Sequence, residues 1–152
     1  MRGAHEFLPV VARIKPQSVT ATATVTSDAV DMKYWDEVLF VFNMGDYAAG
    51  NDGAVTVKVE ASNTSNFATA VNVSGKALTA ATFTGSAGDN QVGVIRLMAD
   101  EMIISGTTYR YARLSVTPAN QNLTCGAVAL GVRGKYQPGS DYDIAKVGEI
   151  IA

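Results

Sequence analysis

Residues 55–62 read Val-Thr-Val-Lys-Val-Glu-Ala-Ser (VTVKVEAS), a stretch that alternates apolar and polar side chains without a break. Successive side chains of a β-strand point to opposite faces, so this stretch would have one dry face and one wet face. It predicts a half-exposed strand. The same period of two recurs in Val19–Thr26 (VTATATVT) and in Tyr109–Thr117, which indicates a β protein.

Other segments are apolar on both faces, which is typical of central strands buried between layers. Val38–Phe42 and Leu123–Val132 have this pattern. Short strands separated by turn residues predict an all-β, single-domain antiparallel β-sandwich, and eight or nine strands come closest to a jelly roll. The other expected elements are strands at Leu8–Ile14 (ended by Pro16), Ala70–Val73, Ala77–Phe83 and Val92–Leu97, and one helical turn within Met98–Ile104.

The chain of 152 residues is expected to form one domain, with the sandwich over residues 8–133. Residues 1–7 would be a flexible natural arm or a remnant of cloning, and residues 134–152 an extended C-terminal arm, because Pro138 and Gly139 interrupt the strand pattern. The start of the chain has no apolar stretch of the kind a signal peptide needs. No apolar run approaches the ~18 residues that span a membrane, so no membrane partner is expected.

Charge is sparse and balanced, with 12 basic and 14 acidic residues scattered along the chain. A protein that follows a phosphate backbone needs a basic stripe, so nucleic acid is not an expected partner. Charged residues make up 17% of the chain, compared with about 25% in an average soluble domain. This low value predicts that part of the surface is covered by other protein.

Residues suited to catalysis are scarce. His5 is the only histidine and lies in the N-terminal arm, which removes Ser-His, Cys-His and zinc-histidine arrangements. The adjacent carboxylates Asp36–Glu37 and Asp100–Glu101 would point to opposite faces of a strand, so we expect solvated turn charges. The prediction is a non-enzymatic protein without catalytic residues. The competing hypothesis is a hydrolase whose carboxylates only the fold brings together.

Neither a metal nor a cofactor is expected. Asp46, Asn51 and Asp52 could offer oxygen ligands to calcium, but they lack EF-hand spacing, and turn chemistry is the preferred interpretation. Asp31 could cap a single turn before Tyr34. The lone Cys125 lies in an apolar run and is predicted to be a buried structural residue.

Four segments carry a resemblance to a known family: LPVVARIKPQSVTATATVTSDAVDM, VTVKVEASNTSNFATAV, YRYARLSVT and AVALGVRGKYQPGSDYDIAKVGEII. Together they resemble small virion proteins of tailed bacteriophages, in particular capsid decoration (cement) proteins. The resemblance implies a compact β-sandwich or jelly-roll unit, often a homotrimer, with the major capsid protein as its partner. Such a protein would be made in the cytoplasm of the bacterial host and would sit on the outer capsid surface of the virion.

An adhesive protein needs complementary surface, and two regions are expected to supply it. VTATATVT, as an uncharged strand at a sheet edge, could accept another chain by β-augmentation. The C-terminal arm would grip an adjacent subunit or the capsid, either as a short amphipathic helix or as an added strand. The predicted interface residues are Thr20, Thr22, Thr24, Tyr136, Tyr142, Ile144, Val147, Ile150 and Ile151.

The alternative function is a tail-associated or carbohydrate-binding β-sandwich that recognises a host surface. Its stacking platform would be the exposed aromatic side chains of Tyr34, Trp35, Tyr109 and Tyr111. Packing or subunit contact is the preferred interpretation of these aromatics, and the stacking hypothesis stays open at this point.

Overall fold

The computed structural model describes residues 8–47, 53–79 and 90–135, and this part of the chain consists of strands and turns. A single 3₁₀ turn covers Ala99–Met102. The strands of the described part are β1 (Val10–Val19), β2 (Val25–Thr26), β3 (Val30–Asp31), β4 (Trp35–Tyr47), β5 (Ala54–Ser62), β6 (Val71–Ala77), β7 (Val92–Met98), β8 (Ile103–Ile104), β9 (Thr107–Thr108), β10 (Tyr111–Ala119) and β11 (Leu123–Gly134).

Two antiparallel sheets form the sandwich. One sheet has the order β1-β11-β4-β7, and the other has the order β2-β10-β5-β6, with β3 also pairing with β10. The chain passes back and forth between the two sheets, and β8 and β9 form a small separate hairpin. The orders β1-β11-β4-β7 and β2-β10-β5-β6 are those of a jelly roll, and β3 is an additional fifth strand of the second sheet. The predicted all-β sandwich is therefore confirmed.

The core lies between the two inner faces. The β2-β10-β5-β6 sheet contributes Val57, Val59 and Leu114, and the β1-β11-β4-β7 sheet contributes Phe40 and Phe42, all of them fully buried. This burial follows from the alternation in VTVKVEAS, because every second side chain of β5 points into the sandwich. The cross-strand pair Leu114 and Val59 lies in register between β10 and β5.

The two segments that are apolar on both faces are central strands, as predicted. β11 lies between β1 and β4, and β4 lies between β11 and β7. Trp35, at the start of β4, is buried against β11. Glycine at position 131 makes room for it, because a Cβ there would lie 2.6 Å from Cε3 of the Trp35 ring.

The prediction of one strand over VTATATVT is wrong. β1 ends at Val19 and β2 begins at Val25, and the residues between them form a corner that crosses from one sheet to the other. Thr22 has a φ of 66°, in the left-handed region. Its N–H donates to the Pro118 carbonyl at 2.8 Å. A backbone leaving one sheet must find partners outside the ladder, and that requirement overrides the period-two pattern here.

Two smaller predictions also need correction. β1 does not end before Pro16 but runs through it, with a register shift between Ile14 and Gln17. A bulged edge strand tolerates proline because no ladder hydrogen bond needs its missing N–H. β6 is one strand over Val71–Ala77, where two separate strands were expected, and residues 80–83 lie outside the described residues. The expected helical turn after Met98 is confirmed as the 3₁₀ turn. No helix in the described residues is long and apolar enough to cross a membrane.

Candidate protein-binding surface

The outer face of the β1-β11-β4-β7 sheet carries a row of valines. Val128 of β11 is in register with Val41 of β4, and Val41 is in register with Val94 of β7. Their chain neighbours point into the core, so this row faces outward. Val128 is 40% exposed, Val94 is 56% exposed, and Val92 beside them is 58% exposed. We call these four residues the valine face.

A groove of about 570 Å³ runs beside the valine face, between β1, β11 and β4. Val41 and Val128 belong to its lining, together with Pro16 of β1, Gly126 of β11 and Gly45 of β4. Gly126 lets the bulged edge strand β1 come close to β11, and Gly45 lets β4 come close to Thr124 of β11. A Cβ at Gly126 would lie 3.3 Å from Pro16 Cα, and one at Gly45 would lie 3.2 Å from the Thr124 carbonyl oxygen. The groove is therefore a mostly apolar depression.

Positive charge borders this groove. Arg13, in register with Val128, and the exposed Lys15 both belong to its lining. Neither side chain forms an ion pair with any other described residue. An apolar floor with free cations at its edge suits a partner segment that combines apolar and acidic side chains.

A cluster of three charged residues, Glu37, Arg96 and Arg133, lies at the other end of the same face. Glu37 accepts hydrogen bonds from Arg96 Nε at 2.6 Å and from Arg133 Nη2 at 2.7 Å. The hydrogen bond from Arg96, with that from Arg133, lowers the pKa of Glu37 in spite of its burial. Glu37 is only 8% exposed, so the prediction of a solvated turn charge is wrong for it. Asp36 is exposed as predicted.

The other carboxylates singled out from the sequence are also held by cations. Asp31 pairs with Arg110 and accepts the Lys33 N–H at 3.0 Å, which confirms its capping of a turn. Burial raises the pKa of Asp31, but these partners outweigh it and the net shift is downward. Glu101 is not a free turn charge either, because it pairs with Lys76 at 2.7 Å and accepts the Met98 N–H. The fold thus disperses these carboxylates among ion pairs.

The predicted metal ligands are only partly placed. Asp46 Oδ1 accepts a hydrogen bond from Asn90 Nδ2 at 2.6 Å, while Asn51 and Asp52 lie outside the described residues. Within the described ranges, no group of three or more histidine, cysteine or acidic side chains gathers in a way that could hold a metal ion.

The predicted interface threonines lie on the corner between the sheets. Thr20, Thr22 and Thr24 are exposed, and Thr24 Oγ1 is 2.8 Å from Thr117 Oγ1. Because this corner is not a strand, it offers no ladder for β-augmentation. The remaining predicted interface residues lie outside the described residues: Tyr136, Tyr142, Ile144, Val147, Ile150 and Ile151.

The predicted aromatic platform loses its tryptophan. Trp35 is in the core, and Tyr34, Tyr109 and Tyr111 are half-buried. The Arg110 guanidinium lies 5.0 Å from the centre of the Tyr111 ring and stacks on it. Packing, the preferred interpretation, holds for Trp35.

Cys125 is buried as predicted, with 3% exposure. Burial raises the pKa of its thiol to about 11.

The valine face was not predicted from the sequence. β4 and β11 are apolar on both sides, which was interpreted as burial on both sides, although a two-layer sandwich covers only one face of each sheet. The signal was present in Val92 and Val94, which alternate with core residues in β7 and are themselves apolar.

The sequence matches no known family model, and it matches no curated protein. Among solved structures, a chain of infectious bursal disease virus, Gt strain, is similar with a TM-score of 0.45 and 11% identity over 90% of this chain. A chain of the Gx strain gives a TM-score of 0.43 and 12% identity over 88% of this chain. The present chain spans about a third of each, 33% and 34% respectively.

Proposed function

We propose that this protein is a non-enzymatic virion structural protein that decorates the outer surface of a bacteriophage capsid and stabilises the shell. The observation that carries the proposal is the exposed valine face with its basic-edged groove. A contiguous apolar surface of this kind marks a place where another protein binds.

The valine face is exposed to water, and its burial would be favourable. Apolar surface gains about 25 cal/mol for each Å² removed from solvent, so exposed Val92, Val94 and Val128 favour association. A specific interface buries about 1,200–2,000 Å² in total, of which each partner contributes about half. A protein that binds the assembled shell more tightly than its separate subunits stabilises the shell by mass action.

The resemblance to phage decoration proteins supports the location and the partner. On this proposal the major capsid protein binds the β7 side of the valine face, at Val92 and Val94, the protein acts as a homotrimer on the outer capsid surface, and it is made in the cytoplasm of the bacterial host. Its balanced charge, 12 basic against 14 acidic residues, fits a protein partner better than nucleic acid.

Thermal release of the genome tests the proposal. Particles lacking the protein are heated alone, with the wild-type protein added back, and with Val94→Asp added back. We expect the wild type to raise the release temperature and Val94→Asp to raise it less, because a charge cannot be buried cheaply in an apolar contact.

Thr56→Asp is the matched control, because Thr56 is an exposed strand residue of the opposite sheet. It should behave as wild type. Equal release temperatures with and without wild-type protein would refute the decoration role. Binding of the isolated protein to a glycan array would instead favour the tail-associated or carbohydrate-binding alternative.

A further inference from the structure

We infer that the basic-edged groove binds the C-terminal segment, residues 141–151, of a neighbouring copy of the same chain. This inference rests on the proposed function in one respect, namely that this face of the sandwich is a protein contact. It adds the identity of one occupant. The segment itself lies outside the described residues, and its sequence and its length are what match it to the groove.

The chemistry of the segment matches the chemistry of the groove. It reads DYDIAKVGEII, with apolar Ile144, Val147 and Ile150 set among acidic residues. The groove offers Pro16, Val41 and Val128 as apolar lining. An apolar segment placed there removes both surfaces from water.

The charges are complementary as well. The segment contains three acidic residues, Asp141, Asp143 and Glu149, and one basic residue, Lys146, so its net charge is negative. The groove carries Arg13 and Lys15, which lack ion-pair partners among the described residues. Complementary charge at the edge of a contact fixes its register and speeds association.

The reach of the chain is sufficient. Gly126 precedes Gly134 by eight residues of continuous strand, so the groove lies roughly 26 Å behind the end of β11. Residues 136–152 follow, and an extended chain of that length spans up to about 55 Å, about twice the distance back to its own groove, so the groove of an adjacent copy is also within its span.

The direction of the chain favours a neighbour over the same subunit. β11 runs away from the groove, and the last described residue continues it, with the Lys135 N–H donating to the Tyr34 carbonyl at 2.9 Å. A segment that keeps this heading reaches another copy. A head-to-tail contact, with the segment of one copy in the groove of the next, closes into a ring when the rotation allows it. This contact gives the expected trimer a physical basis.

Disulfide trapping between two singly substituted proteins tests the inference directly. Val128→Cys, in the groove lining, is mixed with Val147→Cys, and the mixture is oxidised gently and separated without reductant. We expect a cross-linked dimer that contains one copy of each variant. Thr56→Cys replaces Val128→Cys as the matched control on the opposite sheet, and Val147→Cys alone shows that buried Cys125 does not react.

A double variant with both cysteines in one chain separates the two possible connections. Cross-linked multimers from the double variant, together with the mixed dimer, support the inference. A cross-link formed only within one chain would overturn it, because the occupant would then be the segment of the same copy. Absence of any cross-link to position 128 would overturn it too.

Charge reversal supplies a second readout. Arg13→Glu with Lys15→Glu should weaken self-association at least about tenfold by sedimentation, since repulsion replaces attraction at both positions. Asp141→Lys with Asp143→Lys, added to the same chain, should restore much of it. Unchanged self-association in the first variant would count against the inference.

The inference and the proposed function can fail separately. If the trapping succeeds but wild-type protein leaves the genome-release temperature unchanged, the groove contact stands and the decoration role falls. If the protein raises the release temperature but the trapping fails, the decoration role stands and the groove has another occupant.

Discussion

Arg96 of β7 lies diagonally across from Glu37 of β4, and Arg96 Nε donates a hydrogen bond of 2.6 Å to Glu37 Oε1. Arg133 of β11 reaches the other carboxylate oxygen, so one buried glutamate links three adjacent strands. The pKa of Glu37 lies below its ordinary value of 4.5, mainly because of the hydrogen bond from Arg96.

Replacing Glu37 with glutamine should therefore make stability less dependent on pH. A carboxylate with a lowered pKa contributes fully above 4.5, and its contribution is lost as the pH falls through the lowered value. We expect Glu37→Gln to lose about 1 kcal/mol at neutral pH, because both arginines are half-exposed and screened.

Urea unfolding between pH 3 and pH 7, a range of about four units around ordinary carboxylate pKa values, measures this difference. The difference in the free energy of unfolding between wild type and Glu37→Gln should become smaller as the pH falls toward 3. The exposed neighbour Asp36 supplies the control. The free energy of unfolding of Asp36→Asn should stay close to that of wild type throughout this pH range. A constant gap at every pH would show that the ion pair is not its source.

The corner at Thr22 gives a prediction in which the sign of the effect is the test. A β-branched residue with a φ of 66° is strained, and glycine adopts this conformation freely. Thr22→Gly should stabilise the protein by about 0.5–1 kcal/mol, despite the added freedom of the unfolded chain. Thr20→Gly, at an exposed site without positive φ, should destabilise it. If both variants lost stability, the result would instead fit the single strand over Val19–Thr26 that the sequence pattern predicts.

Cys125 should resist thiol reagents in the folded protein. Its side chain is buried and its pKa is raised to about 11, so little thiolate forms at neutral pH. Thr124→Cys places a second thiol at an adjacent exposed position. We expect a coloured thiol reagent to react quickly with one thiol per chain, at position 124, and to react with Cys125 only in denaturant. Two fast equivalents would contradict the burial of Cys125.

If the protein binds a capsid as proposed, Val94→Asp should weaken that binding without unfolding the sandwich. Val94 is more than half exposed, so the isolated domain tolerates a charge there, whereas an apolar interface does not. We expect an affinity loss of at least tenfold, which is about 1.4 kcal/mol, by titration onto undecorated particles. Full affinity with intact folding would move the contact away from the valine face.

Ending the chain after Tyr136 should leave a folded sandwich that no longer assembles. The described strands and their core are complete before that position, so the sole tryptophan, Trp35, should keep the emission of a buried indole. Sedimentation should show monomers for the shortened chain, whereas the proposed trimer is expected for the full chain. Unchanged assembly of the shortened chain would mean that residues 137–152 take no part in it.

The local pattern of the chain was enough to predict the fold class. Alternation in VTVKVEAS identified β5 and its inward residues, because the period of two is a property of the extended backbone itself. The central positions of β4 and β11 followed from their apolar residues, and the burial of Cys125 followed from its neighbours.

Tertiary structure decided what local pattern cannot express. VTATATVT has the period of a strand, yet the crossing between sheets takes its backbone hydrogen bonds to Pro118 and Asn122. Glu37 is adjacent to Asp36 in sequence, but only the fold brings Arg96 and Arg133 to it. The valine face is a similar case. Periodicity states which side chains share a face, but whether that face meets a second sheet, water or another protein depends on how the layers are stacked, and residues distant in the chain determine that.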